Sequence, residues 1–509
     1  MEFNRRKEGP PVTPEAAPQF TSLSRARVPF EIVAQMTRNI AAGAIPPGSR
    51  LPSEPELMAQ LGVGRNALRE AIKILETFGL VVIRRGDGTY IQDTCSFDLL
   101  ISLFLRLIWV KPSEQDHREF LLSTRHAQLT FSDRPYEEEK RTAYLIAYQS
   151  AHLALTGPLR NPAALADTVG NYLSARDGLT EDMILSQLVT LTHSLFTRPV
   201  SEVYGAEFDS PLLTRRLEAE RAVIDSGTPE DLSAYLDLQR QIWESDAAEL
   251  FWGIARKPQA FLPSARQPAS KTIFWKLMSA IIHGRYKVGD RLPTEAELIE
   301  EFQVSRNVVR EAVKGLEATG ILEIRRPEGT FVAEPNDRAS EFIDWGAYGR
   351  ILSNRNAAQF LQFKAAVRDA VFWLACQKAT PEERKRFSTL STAFAQAMLS
   401  PAPILDQCMR ALTELNSYLS EICANPILYR IEQIVLRVAA QSRSLFVEKA
   451  LETRRQREVA QSYLRDAEVM AAGALESVPR LMTYKLWLWS SLEIADFKQD
   501  PPQRLAALP

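Results

Sequence analysis

The chain has 509 residues and a formal net charge of −2, which excludes a polycation that binds nucleic acid through its overall charge. It is too long for one hydrophobic core, and its 45% hydrophobic and 24% charged residues are typical of a globular protein with several domains. The four cysteines form no C-x-x-C pair, which disfavours a zinc ribbon and indicates a reducing, cytoplasmic setting.

The N-terminal part predicts a tail followed by two helices. Residues 1–28 contain charges and prolines but no apolar core, which predicts a flexible tail and no secretory signal. Residues 30–43 carry apolar side chains at helical spacing and stop at a glycine. The segment 52–62 predicts a second helix that begins at Ser53, a good N-terminal cap, and buries Leu57, Met58 and Leu61.

A third helix and a hairpin complete this region. After a short turn at 62–64, residues 65–78 place Leu68, Ala71, Ile72 and Leu75 on one apolar stripe. The segment 80–91 alternates around a Gly-Asp-Gly turn, which predicts a two-stranded hairpin. Three helices and a hairpin predict a winged helix-turn-helix domain at 29–94.

The polar side of the third helix carries side chains that are typical of DNA-binding helices. Arg65, Asn66, Arg69 and Lys73 lie away from the apolar stripe. A helix fits the DNA major groove, where arginine can pair with guanine through two hydrogen bonds and asparagine can pair with adenine. Arginines 84 and 85 flank the turn of the hairpin, whose glycines allow a close approach to phosphates or a minor groove.

A mainly helical domain follows at 95–255. It contains the longest apolar run, residues 99–110, which is about half the length of a membrane-spanning helix and includes Arg106. We therefore predict a buried helix there and no membrane partner. Three prolines at 256–270 then predict an interdomain linker.

The segment 62–90 recurs at 303–331 with a constant offset of 241 residues, and 23 of the 49 positions from Gly43 and from Gly284 are identical. This repeat predicts a second winged domain at 271–335, with Ser305 as a better helix cap than Gly64. A second helical domain follows at 336–509. Residues 120–131 weakly resemble residues 363–374 at an offset of 243, which indicates that a whole two-domain protein was duplicated and fused.

Both repeated segments resemble the DNA-binding domain of GntR-family bacterial transcription regulators, through G-x-x-LP-[ST]-E, V-[SG]-R-x-x-[VL]-RE-A and R-x-x-GT. The resemblance implies that the two arginines and the asparagine of each third helix bind bases and phosphates. In the FadR branch the residue after LP-x-E is often an arginine that touches DNA, whereas Pro55 and Ala296 stand here, so this arginine contact is not carried over to either half. With the wings and the LP-[ST]-E hydroxyls, the predicted DNA-binding residues are Ser53, Arg65, Asn66, Arg69, Lys73, Arg84, Arg85, Gly88, Thr294, Arg306, Asn307, Arg310, Lys314, Arg325, Arg326 and Gly329.

The second helical domain resembles the FadR-type ligand-binding domain at residues 368–380 and 415–428. Many of those domains hold a metal through an aspartate and three histidines, but here Leu412 and Asn416 fall at two of the positions. No histidine follows His283, and His193 in the first half has Val189 in place of its partner aspartate. We predict no metal and no other cofactor. Five aromatic residues could line an effector pocket, although such residues are more often core: Trp373, Tyr418, Tyr429, Trp487 and Trp489.

Three other interpretations remain open. Some GntR-type regulators fuse a winged domain to an aminotransferase-like domain with pyridoxal phosphate, but a second winged domain interrupts the chain here and both flanking regions are predicted to be helical. Alternatively, one winged copy has become a structural or docking module. The helical domains could also serve mainly for dimerisation.

The sequence therefore predicts a mainly α protein with two winged helix-turn-helix domains, each followed by an all-α helical bundle. We predict a cytoplasmic, sequence-specific DNA-binding transcription regulator, a repressor that acts as a covalent pseudo-dimer on an imperfect palindromic operator. Its predicted partners are double-stranded DNA and an unidentified small-molecule effector, with an organic acid as the candidate class. Whether chains associate further stays open.

Overall fold

In a computed structural model, the described residues are 28–77, 79–84, 86–92, 112–131, 138–156, 210–226, 228–244, 269–282, 284–325, 327–334, 345–494 and 497. The chain divides into two compact units. The winged unit comprises Met1–Trp109, Leu262–Ala357 and Arg437–Gln441, and the helical unit comprises Val110–Phe261, Ala358–Leu436 and Ser442–Pro509. Both copies of the repeated segment therefore lie in the same unit.

The first winged domain has the predicted architecture. Its antiparallel strands pair Val81 with Ile91 and Arg84 with Gly88 around a tight turn. Its elements are α1 (Val28–Ala41), α2 (Glu54–Leu61), α3 (Arg65–Thr77), β1 (Val81–Arg84) and β2 (Gly88–Ile91).

Four helices are described in the region between the winged domains. Those helices are α4 (Glu114–Thr130), α5 (Glu138–Thr156), α6 (Ser210–Ser226) and α7 (Pro229–Glu244). The apolar run at 99–110, His193 and all but the last two residues of the predicted linker lie outside the described residues, as does the predicted tail except for Val28.

The second winged domain repeats the first element by element. Its strands pair Leu322 with Val332 and Arg325 with Gly329. The domain begins two residues earlier than predicted, because Ala269 and Ser270 belong to its first helix and not to a linker. Its elements are α8 (Ala269–Ile282), α9 (Glu295–Phe302), α10 (Arg306–Ala318), β3 (Leu322–Arg325) and β4 (Gly329–Val332).

The remaining described segment is a bundle of long helices. They are α11 (Trp345–Lys378), α12 (Pro381–Met398), α13 (Leu405–Cys423), α14 (Pro426–Val438), α15 (Ala440–Glu452), α16 (Gln456–Ala472) and α17 (Val478–Glu493). No helix among the described residues is long and apolar enough to cross a membrane. The mainly α architecture with two winged domains, predicted from the sequence, is confirmed.

Two local expectations in the winged domains were wrong. Met58 is only half-buried, because the eight-residue helix α2 turns just Leu57 and Leu61 fully into the core. The Ser305 side chain makes no capping hydrogen bond, although its backbone has the extended conformation of a cap residue. This hydroxyl therefore does not give the backbone N–H groups at the start of α10 a hydrogen bond that those at the start of α3 lack.

The helical unit also contains a structural repeat that its sequence showed only weakly. Helices α6 and α16 each have 17 residues, and the helices that follow them, α7 and α17, each have 16. Arg125 pairs with Glu220 at 2.6 Å, while Arg368, its equivalent at the offset of 243, approaches Asp466 to 4.0 Å. Glu220 and Asp466 both occupy the eleventh position of their helices. The two halves therefore share a buried arginine–carboxylate pair.

Candidate nucleic-acid interface

The recognition helices α3 and α10 each have one buried and one exposed face. In α3, Leu68 and Leu75 are fully buried and the helix packs against α1 and α2, whereas Arg65, Asn66 and Arg69 are exposed. The separation arises because the apolar residues recur every three or four positions. In α10, Arg306, Asn307 and Arg310 occupy the same exposed positions, offset by 241 residues.

A carboxylate from the preceding helix holds the second arginine of each recognition helix. Arg69 Nε donates to Glu54 Oε1 at 2.9 Å, and Arg310 Nε donates to Glu295 Oε1 at 2.8 Å. The hydrogen bond raises the pKa of each arginine, so both guanidinium groups stay charged. Because both pairs are largely exposed, we attribute to them the direction of the side chain and little stability.

Lys73 and Lys314 lie at a contact between the two recognition helices. Lys73 Nζ is 3.4 Å from Glu311, and Lys314 Nζ is 2.6 Å from Glu70. Each ion pair is the repeat equivalent of the other, so α3 and α10 pack antiparallel around a pseudo-twofold axis. Both lysines are thus half-buried and ion-paired, and their DNA contact stays a prediction.

Ser53 and Thr294 of the LP-[ST]-E motif are the N-cap residues of helices α2 and α9. Ser53 and Thr294 each donate their backbone N–H and their hydroxyl to the glutamate three residues later, Glu56 or Glu297, at 2.7 to 2.8 Å. These hydrogen bonds lower the pKa of both glutamates. Both hydroxyl side chains are exposed. Each lies at the start of the helix that precedes the recognition helix.

Each wing carries an arginine that stacks on an aromatic ring of the opposite strand. The guanidinium carbon of Arg84 lies 4.3 Å from the ring centre of Tyr90, and that of Arg325 lies 4.9 Å from the ring centre of Phe331. Arg325 also pairs with Glu323 at 2.7 Å. Both arginines are exposed, and Arg85 and Arg326 lie outside the described residues.

The structure adds one arginine to each wing that the sequence analysis missed. Arg50 forms a backbone bridge to Tyr90, which places its side chain against Gly88. A Cβ atom on Gly88 would lie 2.6 Å from Arg50 Nε, and one on Gly329 would lie 2.7 Å from Arg291 Nε. The wing glycines therefore make room for an exposed guanidinium. The available signal was the identity of Arg50 and Arg291 at the 241-residue offset.

A second group of charged residues is buried in the helical unit, away from solvent. Arg368 lies 3.7 Å from Glu432 and 4.0 Å from Asp466, distances too long for hydrogen bonds. Lys485 is fully buried, 2.9 Å from Asp466 and 3.5 Å from the ring centre of Tyr463. Burial raises the pKa of Asp466 and of Glu432 and lowers the pKa of Lys485 to about 8.

The residues considered for a metal site or an effector pocket differ in their burial. Among the described residues, no three His, Cys, Asp or Glu side chains are grouped as metal ligands. Leu412 and Asn416 are buried in α13. Of the aromatic residues, Trp373, Tyr418 and Trp489 are buried, Trp487 is half-buried and Tyr429 is exposed.

Comparison with known proteins identifies the two winged domains. Residues 30–91 and 269–332 each match the family model described as bacterial regulatory proteins, gntR family. These two segments are the domains that contain the recognition helices and the wings.

Individual relatives are similar to parts of this chain. The HTH-type transcriptional regulator Mce2R of Mycobacterium tuberculosis is 42% identical over 87 residues, which are 16% of this chain and 36% of that regulator. The galactonate operon transcriptional repressor of Escherichia coli is 29% identical over 159 residues, 27% of this chain and 69% of the repressor. The solved structure of Streptococcus agalactiae GntR covers 44% of this chain and all of its own, with 17% identity and a TM-score of 0.26. The chain thus spans about a third of the length of Mce2R.

Proposed function

This chain carries two gntR-family domains, and we propose from them that it is a sequence-specific DNA-binding transcription regulator and not an enzyme. The observation that carries the proposal is the repetition of one exposed Arg-Asn-x-x-Arg set on both recognition helices, each with the same glutamate partner. Relatives named as a transcriptional regulator and an operon repressor support it.

Each recognition helix would present its N-terminal end to base edges in the major groove. Arg65 and Asn66 are exposed and lie in the first turn of α3, where they can pair with guanine and adenine. Arg69 follows one turn later, and its bond to Glu54 limits the orientations of an otherwise flexible side chain. The wing would add phosphate or minor-groove contacts through Arg84 and Arg50.

The two winged DNA-binding domains belong to one chain and would act as a covalent pseudo-dimer. The antiparallel contact of α3 with α10 supports a twofold arrangement that suits an inverted repeat in DNA. Once one winged domain has bound, the fusion gives the second winged domain an effective concentration of roughly millimolar at its half-site. Because Gly64 and Ala67 are replaced by Ser305 and Val308, the two half-sites need not be identical. The operator is therefore proposed to be an imperfect palindrome bound by one chain.

The first experiment uses the full chain and fragments of its own genome. Footprinting should identify preferred fragments, and Arg65→Ala with Arg69→Ala should weaken binding to them by about 1–3 kcal/mol per lost contact. The matched pair, Arg306→Ala with Arg310→Ala, tests the second copy in the same way. Absence of any preference over random duplex at low and moderate salt contradicts the proposal.

The same variants test the alternative that one copy is a docking module. If only one pair of substitutions weakens binding, the other copy does not bind the operator. Light scattering of the complex gives the number of chains for each operator. Two chains on one operator reject the pseudo-dimer, whatever the affinity.

We propose repression as the sign of regulation, supported by the name of the galactonate operon repressor. A reporter placed behind the footprinted operator should be more active in cells that lack the protein. Lower reporter activity in those cells identifies an activator instead. An absorbance scan of the purified protein tests the pyridoxal-phosphate alternative, because that cofactor absorbs in the near ultraviolet.

The buried charge cluster of the helical unit is the proposed effector site. Arg368 is almost fully buried, and neither of its terminal nitrogens has a hydrogen-bond partner among the described residues. Lys485 adds a second buried cation, 2.9 Å from the same Asp466 oxygen that Arg368 approaches to 4.0 Å. A small organic acid could satisfy these donors with its carboxylate. Thermal-shift titration with small carboxylic acids should raise the melting temperature of the wild type and not of Arg368→Met; equal shifts contradict this site.

A further inference from the structure

Helices α4 and α11 pack antiparallel within the helical unit. Residue numbers rise along one helix as they fall along the other in three successive contacts. These contacts are Glu119 with Lys378 at 2.6 Å, His126 with Asp369 at 2.9 Å, and the Phe131 carbonyl, which accepts from Gln362 Nε2 at 3.3 Å.

The central contact joins a position to its own repeat equivalent. At the offset of 243 residues, which aligns Phe120 with Phe363, His126 corresponds to Asp369. In a twofold arrangement, a residue meets its own equivalent only on the axis. The pseudo-twofold axis of the helical unit therefore passes through the His126–Asp369 pair.

This pair is buried and chemically asymmetric. His126 is 1% exposed and Asp369 is 0% exposed, and His126 Nδ1 contacts Asp369 Oδ2. The imidazole also stacks on Trp373 with ring centres 5.0 Å apart. Since the equivalent of Trp373 is Thr130, this stacking has no counterpart on the other side of the axis.

Pairing of like halves from two chains would remove this complementarity. Asp369 would meet the same aspartate of a second copy, and two adjacent buried carboxylates cannot both ionise without a large cost. His126 would meet a second His126 and would have no carboxylate. Lys378 would face Gln362 in place of Glu119, so the ion pair between Lys378 and Glu119 would also be lost.

We propose that the His126–Asp369 pair selects the association of the two helical halves of one chain over the association of like halves from two chains. Specificity of this kind arises because the wrong partner brings repulsive or unsatisfied groups together. The inference deepens the pseudo-dimer part of the proposed function, and it does not depend on DNA binding. The partner surface of each helical half is thus the other helical half of the same chain.

The first test exchanges the two residues in the full-length protein. His126→Asp places two aspartates on the axis, and Asp369→His places two histidines there. Each single variant should lower the ratio of folded to unfolded protein on the order of a hundredfold, measured by urea denaturation. The double variant His126→Asp with Asp369→His should recover most of that loss and remain one chain per particle by light scattering.

The second test distinguishes pairing specificity from a local packing role. Co-expressed chains with the His126→Asp or the Asp369→His substitution can restore both His–Asp pairs only by associating with each other. Native mass spectrometry should then show particles with one chain of each kind, in excess over particles with two chains of one kind. This readout remains valid if each single variant fails to fold alone.

Asp369→Asn is the matched control, because an amide oxygen still accepts from His126 without a charge. It should keep one chain per particle. The proposal is overturned if the single variants match the wild type in stability and mass, or if the exchanged double variant is as unstable as the single ones. Absence of mixed particles on co-expression overturns it as well, because the pair then stabilises without selecting a partner.

Discussion

The two winged domains share several polar contacts, whereas the described parts of the two helical halves share one buried arginine–carboxylate pair. In the winged unit, Arg69 with Glu54 and Lys73 with Glu311 each have an equivalent pair at the offset of 241. In the helical unit, the shared arginine–carboxylate pair has different surroundings. Tyr235 donates to Glu220 in the first half, and Lys485 lies beside Asp466 in the second.

A physical reason for this difference lies in what each surface faces. If both winged domains bind DNA, each of them meets the same phosphate backbone and similar base edges, so both need the same side chains. The helical halves pack against each other, and a change on one side can be matched by a change on the other. The His126–Asp369 contact is a complementary pair of this kind.

The largest expected effect is loss of the carboxylate in the buried cluster. Asp466→Leu leaves Lys485 without its counterion and should lower the free energy of unfolding by about 3–5 kcal/mol. The double variant Asp466→Leu with Lys485→Met removes both charges and should recover most of the loss. Urea denaturation measures both. A double variant as unstable as the single one would show that packing, and not the unpaired charge, causes the loss.

Lys485 should also make stability depend on pH. Burial lowers its pKa in the folded protein to about 8 from 10.5, so between those values the unfolded chain binds more protons. The contribution of Lys485 to stability is therefore greatest above pH 10.5 and falls as the pH drops to about 8, by at most about 1.4 kcal/mol per pH unit. The Asp466→Leu, Lys485→Met protein should lack this component; an identical pH profile would contradict the assignment.

An intermediate effect is expected at the wing glycines. Gly88 has φ 134° and a Cβ there would meet Arg50, so Gly88→Ala should cost about 1–3 kcal/mol of stability and displace that arginine. Gly86→Ala is the matched control, since φ is also positive but no atom lies within 4 Å of its Cβ. Only Gly88→Ala should also weaken operator binding in a titration. Equal operator affinity of the two variants would show that Arg50 does not contribute to DNA binding.

The smallest expected effect concerns the ion pairs between the recognition helices. Lys73 and Glu311 are 44% and 38% exposed, so Lys73→Ala should cost about 0.2–1 kcal/mol, and less at high salt. Lys73 also pairs with Glu76 of its own helix at 2.9 Å. If Lys73 serves only these two ion pairs, the salt dependence of DNA binding should not change, whereas Arg65→Ala should alter it. That dependence is the slope of the logarithm of the binding constant against the logarithm of the salt concentration. A slope smaller by about one in the Lys73 variant would instead support the phosphate contact predicted from the sequence.

Much of the winged unit could be predicted from the sequence because its signals are local. The apolar spacing of Leu68, Ala71, Ile72 and Leu75 predicts α3, and the glycine-tipped alternation at 80–91 predicts the hairpin. The errors had local causes that spacing does not encode, such as the half-burial of Met58 and the unused Ser305 hydroxyl. The position of Arg50 against Gly88 depends on a bridge between residues forty apart, so no local pattern shows it.

The sequence by itself determined the duplication, the type of the repeated domain and the exposed arginines, since each follows from residue identity and spacing along one element. Only the tertiary structure decided that Lys73 faces Glu311, that Arg125 and Arg368 have carboxylate partners, and that His126 meets its own repeat equivalent. These contacts join residues about 90 to 240 positions apart. They depend on how helices pack, and helix periodicity fixes only which face is buried, not which partner covers it.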